Sequence, residues 1–390
     1  MEQKEACLKD VLKSQCFVKH PSKTAFPVGK DDSGNIVVAD LDEMPHLLIA
    51  GSTGSGKTVF LNSLIVTFLY RAKPSDVGLI IIDTKKIEFN DYAGIPHLMK
   101  DIVTDPKQAV SCLRWAVNEM TNRYQRLKLN AVKDYRSYNL KIEKGMFSPE
   151  EKYPRMMNQI VIIIDELSDL MMTFKDETEA LLTRLVQLSR PIGIHLVIST
   201  QRPSSDILRD QIKANILGRI SFYLPAVADY KAVLDSAKFE KLSGIGEMLF
   251  LSRGYREPVH LQGVYISDKE IQNAVDFAER NYGNNYYFEK ESKEIEEFMN
   301  SSKNEFPVNA DSIDDKDEFF YEAGKLCIEM CKASSSMLQR RFNVGFNRAA
   351  RIIDQLEEFG VVGPQQGAHP REILLDAKTF EAMFRDTHDQ

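Results

Sequence analysis

The chain has 390 residues, 43% of them hydrophobic and 27% charged, so wholesale disorder is excluded and two or three domains are expected. Five scattered cysteines with no CxxC pair exclude a disulfide framework and argue against a zinc site. The net charge of −7 argues at first sight against a nucleic-acid partner, which usually calls for a basic balance. The longest uncharged apolar runs fall far short of a membrane span. Met1-Glu2-Gln3-Lys4-Glu5 opens no apolar signal core, so a cytoplasmic chain without membrane contact of its own is expected.

Residues 1–45 read as an extended preface, with a turn at Asp31-Asp32-Ser33-Gly34-Asn35 between two strand-like pieces. Residues 46–288 alternate short apolar runs with amphipathic stretches. The runs at 46–50, 79–83, 160–165, 195–200, 220–224 and 247–251 are apolar throughout, which suits a parallel sheet covered on both faces. Helical stretches at 58–71, 106–129 and 178–188 complete a doubly wound α/β pattern.

Gly51-Ser52-Thr53-Gly54-Ser55-Gly56-Lys57-Thr58 fits the phosphate-loop pattern G-x-x-x-x-G-K-[ST], placed between a strand and a helix. Its glycines let backbone N–H groups curl around phosphate oxygens, and the helix N-terminus adds partial positive charge. Lys57 is expected on the β- and γ-phosphates of ATP, and Thr58 on Mg²⁺. The strand at 160–165 ends in Asp165-Glu166. Asp165 is expected to hold Mg²⁺ and Glu166 to activate water, which implies hydrolysis rather than binding alone. Asp83 ends a similar strand without a second acid and reads as a supporting residue. Gln201, at the tip of a third strand, is placed to sense the γ-phosphate or orient the water, or simply to cap a helix.

Residues 289–318 hold 11 acids and 4 lysines, and read as an acidic flexible linker with one helical stretch near Ile295. Residues 319–390 read as a small winged helix-turn-helix domain: a helix at 319–330, a second at 335–342 capped by Ser334, a recognition helix at 347–359, and a wing from 361–363 and 372–375. Between Lys332 and Arg351 lie five basic residues and no acid. Asn347, Arg348 and Arg351 share one side of the recognition helix, with chemistry suited to base edges in the major groove.

The segments DLDEMPHLLIAGSTGSGKT (40–58), YAGIPHL (92–98), DELSDLMM (165–172), GIHLVISTQRPS (193–204) and IKANI (212–216) resemble the FtsK/SpoIIIE DNA translocases. SSSMLQRRFNVGFNRAARIIDQLEEFGVVGP (334–364) resembles their γ domain. The resemblance implies a RecA-like P-loop NTPase that assembles as a homohexameric ring and pumps double-stranded DNA with ATP, in chromosome segregation and cell division. It further implies relatives anchored at the inner membrane, and a site-specific recombinase or division proteins as partners. It puts the trans-acting arginine finger on Arg190, with Arg219 the second candidate. Arg202, Lys213 and Lys231 fall on basic pore-loop positions, and Arg340, Asn347, Arg348 and Arg351 on γ-domain DNA contacts. The chain departs from the family at Pro191-Ile192, where two small residues are usual, at Val227, where a basic residue is usual, and at Thr84, which replaces a proline. The rival readings are a secretion or conjugation coupling ATPase, and a DNA-binding regulator whose phosphate loop only holds nucleotide.

Overall fold

A ten-stranded mixed sheet organises the first of two units, Met1–Asn304, in the computed structural model; Glu305–Gln390 form the second. The structure describes residues 6–151, 154–236, 242, 244–283, 287–300, 319–330, 332–342, 344–358, 361–363, 371–376 and 380.

The strands are β1 (Ala6–Cys7), β2 (Ala25–Lys30), β3 (Ile36–Asp40), β4 (His46–Ala50), β5 (Val77–Ile82), β6 (Gln159–Ile164), β7 (Ile194–Thr200), β8 (Gly218–Phe222), β9 (Glu247–Leu251) and β10 (Val259–Tyr265). Their order across the sheet is β3-β2-β10-β9-β8-β4-β7-β6-β5, with β1 paired to β10. Strands β8, β4, β7, β6 and β5 run parallel. All their residues are buried, which is why they read as continuous apolar runs.

The expectation of a parallel sheet needs correction beyond β8. Strands β9, β10, β2 and β3 pair antiparallel, and the preface thereby becomes part of the sheet. Antiparallel strands tolerate one wet face, and β3 and β10 are mostly half-buried. That weak pattern left β10 unread in the sequence.

Helix Lys57–Arg71 packs its apolar face, including Phe60, Leu64 and Phe68, into the main core. Helix Pro106–Leu129 starts on Asp105, whose carboxylate accepts from Gln108 N, and carries a proline at its first turn. Helix Glu289–Asn300 corrects the expected linker. Its twelve residues pack against helix Pro106–Leu129 through fully buried Ile295, and Arg155 pairs with Glu291 at 2.8 Å while Lys100 pairs with Glu296. The rest of the expected linker, 301–318, lies outside the described residues.

The second unit contains helices Phe320–Glu329, Ser335–Phe342 and Phe346–Glu358 around a small core of Phe320, Leu338, Ile352, Ile353 and Leu356. Met337 N donates to Ser334 Oγ at 3.3 Å, the expected cap. The wing pairs as expected: Val362 bridges Ile373, and Gly363 N donates to Glu372 O at 2.8 Å.

Candidate active site

The phosphate loop leaves β4 at the C-terminal ends of the parallel strands, where open α/β sheets bind ligands. β4 lies between β7 and β8, and the loop is held by both neighbours. Gly51 N donates to Thr200 O at 3.3 Å and Ser52 N to Tyr223 O at 3.0 Å. Gly54 and Gly56 adopt φ of 76° and 107°, a region that favours glycine. A Cβ on Gly56 would also sit 2.9 Å from Gly246 Cα. The N–H groups of Gly54, Gly56, Lys57 and Thr58 find no backbone acceptor among the described residues. They therefore form a ring of free donors at a helix N-terminus, suited to phosphate oxygens. The Ser55 hydroxyl is buried there without a partner.

Lys57 is 4% exposed, and its ammonium donates to Asp165 O at 3.1 Å and lies 3.7 Å from Asp165 Oδ1. Burial pushes the Lys57 ammonium below its usual range and the Asp165 carboxyl above its own; their mutual attraction offsets only part of this. Asp165 Oδ1 is buried and accepts no hydrogen bond. An unsatisfied carboxylate oxygen beside a phosphate loop fits a hard divalent cation. No cluster of three or more His, Cys, Asp or Glu side chains suited to a metal occurs among the described residues. Mg²⁺ needs none, because one carboxylate plus substrate phosphates and water usually hold it.

Glu166 follows at the start of helix Leu167–Thr173 and is 3% exposed. Its carboxylate accepts from Thr200 Oγ1 at 2.7 Å, Ser168 Oγ at 2.8 Å and Gln201 N at 3.0 Å. Burial opposes its ionisation, but the Thr200 and Ser168 hydrogen bonds, the Lys57 charge and the Gln201 N–H together outweigh burial and hold its pKa below the usual range. It is thus ionised, as a base must be. Gln201 Oε1 accepts from Thr53 Oγ1 at 3.1 Å, so Gln201 bridges the phosphate loop and Glu166. The structure brings Lys57, Asp165, Glu166 and Gln201 together as expected. It adds Thr200, Ser168 and Lys85, whose ammonium lies 3.5 Å from Glu166 Oε2. The signal for Thr200 was a hydroxyl at a strand tip beside Gln201; Lys85 stands two positions after a strand-end acid.

Arg190 lies elsewhere. It is exposed, opens a single 3₁₀ turn at Arg190–Ile192 and precedes β7. The seven residues of β7 separate it by about 20 Å from the strand ends that carry the phosphate loop. It lines a polar cleft with Asp42, Arg136 and Arg253. Arg219, the second candidate, needs correction. It is 8% exposed, and its guanidinium donates to Ile216 O at 3.0 Å, Lys213 O at 2.9 Å, Val233 O at 3.2 Å and to Asp235. With those donors satisfied internally, it holds its own fold together.

Lys213 is corrected for the same reason. It is 8% exposed, and its ammonium binds Ala232 O and Asp235 Oδ1, each at 3.2 Å. Arg202 and Lys231 are exposed. In the second unit Arg340 is exposed, and Arg348 is half-buried with its guanidinium 5.0 Å over the Phe319 ring. The side chains of Asn347 and Arg351 lie outside the described residues.

Comparison with known proteins is consistent along the whole chain. The FtsK/SpoIIIE family profile matches residues 7–205, and the Ftsk gamma domain profile residues 314–376. The chain is 46% identical over 377 residues to the DNA translocase FtsK of Caldanaerobacter subterraneus subsp. tengcongensis, covering 97% of this chain and 50% of that protein. It is 42% identical over 376 residues to the DNA translocase SpoIIIE of Bacillus subtilis, covering 96% and 46%. It spans about half the length of these curated relatives. Among solved structures, the pCW3 conjugation coupling protein TcpA with ATPγS has a TM-score of 0.56 at 26% identity, covering 66% of this chain and 70% of that one. The chain therefore belongs to the FtsK/SpoIIIE family, carrying its motor region and its γ domain.

Proposed function

We propose that this chain is the motor and DNA-reading part of an ATP-driven translocase acting on double-stranded DNA in chromosome segregation and cell division. The observation that carries the reading is the set of Lys57, Asp165 and Glu166 around a phosphate loop with free N–H donors. The loop and Lys57 bind the triphosphate. Thr58 and Asp165 would hold Mg²⁺, which when bound neutralises charge on the phosphates. Glu166 takes a proton from the attacking water, and Gln201 orients that water between Glu166 and the loop.

Arg190 serves as the finger of a neighbouring subunit. Its position at the far end of β7 rules out service in its own site and suits a homohexameric ring. Arg202 and Lys231 track the DNA backbone in the pore, while Arg340, Asn347, Arg348 and Arg351 read base edges from the second unit. A recombinase or division proteins would be the downstream partners. A conjugation-coupling role is the second reading, favoured by the likeness to TcpA. The γ-domain match supports the translocase instead.

The test is steady-state ATP hydrolysis with and without duplex DNA. Wild type should be stimulated by DNA. Glu166→Gln should bind nucleotide normally and turn over about 10²–10⁴-fold more slowly. Unchanged turnover in that variant would remove Glu166 from the mechanism.

A further inference from the structure

Glu166 is not free to act as a base in the pose the structure holds. A carboxylate offers about four lone-pair sites. Oε1 accepts from Ser168 N at 3.2 Å, Ser168 Oγ at 2.8 Å and Thr200 Oγ1 at 2.7 Å. Oε2 accepts from Gln201 N at 3.0 Å and faces Lys85 Nζ at 3.5 Å. The site on Oε2 that an incoming water needs is therefore covered by an ammonium. This contact is the longest of the set. Lys85 keeps 31% of its side chain exposed, whereas Thr200 and Ser168 are buried.

The backbone under Lys85 is fixed. Asp83 is fully buried, and its carboxylate accepts from five successive N–H groups, Lys85 and Lys86 on Oδ1 and Ile87, Glu88 and Phe89 on Oδ2. This holds Lys86 at φ 60°. Thr84, which stands where the family has proline, donates to Asp169 Oδ2 at 2.6 Å, on the helix that Glu166 caps. The loop that carries Lys85 is thus tied to the helix that Glu166 caps, while the Lys85 side chain stays partly exposed. Lys85 follows β5, whose C-terminal end pairs with that of β6, so its ammonium, 3.5 Å from Glu166, stands on the same rim of the sheet as Lys57, itself 3.7 Å from Asp165.

We propose that Lys85 reads the γ-phosphate: without a third phosphate it rests on Glu166 and covers the water site, and a γ-phosphate draws it off and frees the carboxylate. The inference rests on the ATPase reading of this site. Under it, the ionised base beside the phosphate loop stays covered until a triphosphate is bound.

The experiment is calorimetric titration of the full chain with ATPγS and with ADP, each with Mg²⁺, for wild type, Lys85→Met and Lys85→Arg. Lys85→Met should bind ATPγS about tenfold more weakly or worse, the worth of one charged contact, and ADP within about twofold of wild type. Retained ADP affinity also certifies the fold. Lys85→Arg should recover most of the ATPγS affinity. Equal weakening toward both nucleotides, or unchanged ATPγS affinity, would overturn the role given to Lys85 alone. A wild-type chain that binds neither nucleotide would remove the ATPase reading, and this inference with it.

Discussion

Charged side chains in this chain divide by where their head groups end. Arg219 and Lys213 converge on Asp235 and on nearby carbonyls, and both are nearly buried. Arg202 and Lys231 stay exposed. Sequence shows three basic residues at expected pore positions and Arg219 as a finger candidate, and no difference in how their head groups end. The difference is made by Asp235, which sits in a left-handed turn at φ 49° after helix Val227–Leu234 and brings its carboxylate back to both cations. Arg219→Ala should therefore cost about 2–3 kcal/mol of stability, since it leaves the carbonyls of Lys213, Ile216 and Val233 without their donor, while Asp235 keeps Lys213. Chemical denaturation measures it, and a loss below about 0.5 kcal/mol would mean that the guanidinium is not held as described.

At the level of elements, the phosphate loop was readable because its requirements are local. Glycine at Gly54 and Gly56, a lysine and a threonine must stand at fixed spacing between a strand and a helix. The set of donors around Glu166 was only partly readable. Ser168 is adjacent in the chain, but Thr200 and Gln201 arrive from β7 and its exit, and the register of β6 against β7 decides that they meet Glu166. Helix Glu289–Asn300 was read only as a helical stretch in a free linker, because acidic composition outweighed the spacing of Ile295, Phe298 and Met299, which marks one apolar face for docking. Ile295→Asp should release this helix from the motor. Hydrogen exchange should then show lost protection across residues 289–300 and unchanged protection in β4 to β7. Protection that survives in the helix would place its anchor elsewhere.

The core of the motor also carries a pH dependence. His195 is buried between Pro45 O at 3.1 Å and Gln159 Nε2 at 3.2 Å, and His46 accepts from Leu196 N at 3.1 Å. Burial pushes their pKa values down to about 4 and about 3. Both lie below the unfolded value, so the unfolded chain binds more protons as pH falls. Stability is full above about pH 6.5 and falls toward pH 4, by about 1.4 kcal/mol per pH unit for each histidine. Urea midpoints at pH 7 and pH 5 check this. Equal midpoints would show that these rings are not held neutral.

Taken as a whole molecule, the chain concentrates acid outside the segments proposed to meet DNA. Residues 289–318 carry a net −7, equal to the total, and the recognition unit carries five basic residues between Lys332 and Arg351. The opening objection from net charge therefore concerned a segment, and part of that segment is spent on Lys100 and Arg155 of the motor. Arg190 and the phosphate loop occupy opposite ends of the strands, so the proposed finger role requires a second copy of the chain. The most direct measurement is ATP-dependent displacement of a third strand from duplex DNA. Wild type should strip the strand only with hydrolysable ATP, and Lys57→Ala should leave it in place at any ATP concentration. Displacement by Lys57→Ala, or ATP hydrolysis by wild type with no displacement, would contradict the account of this chain as a DNA motor.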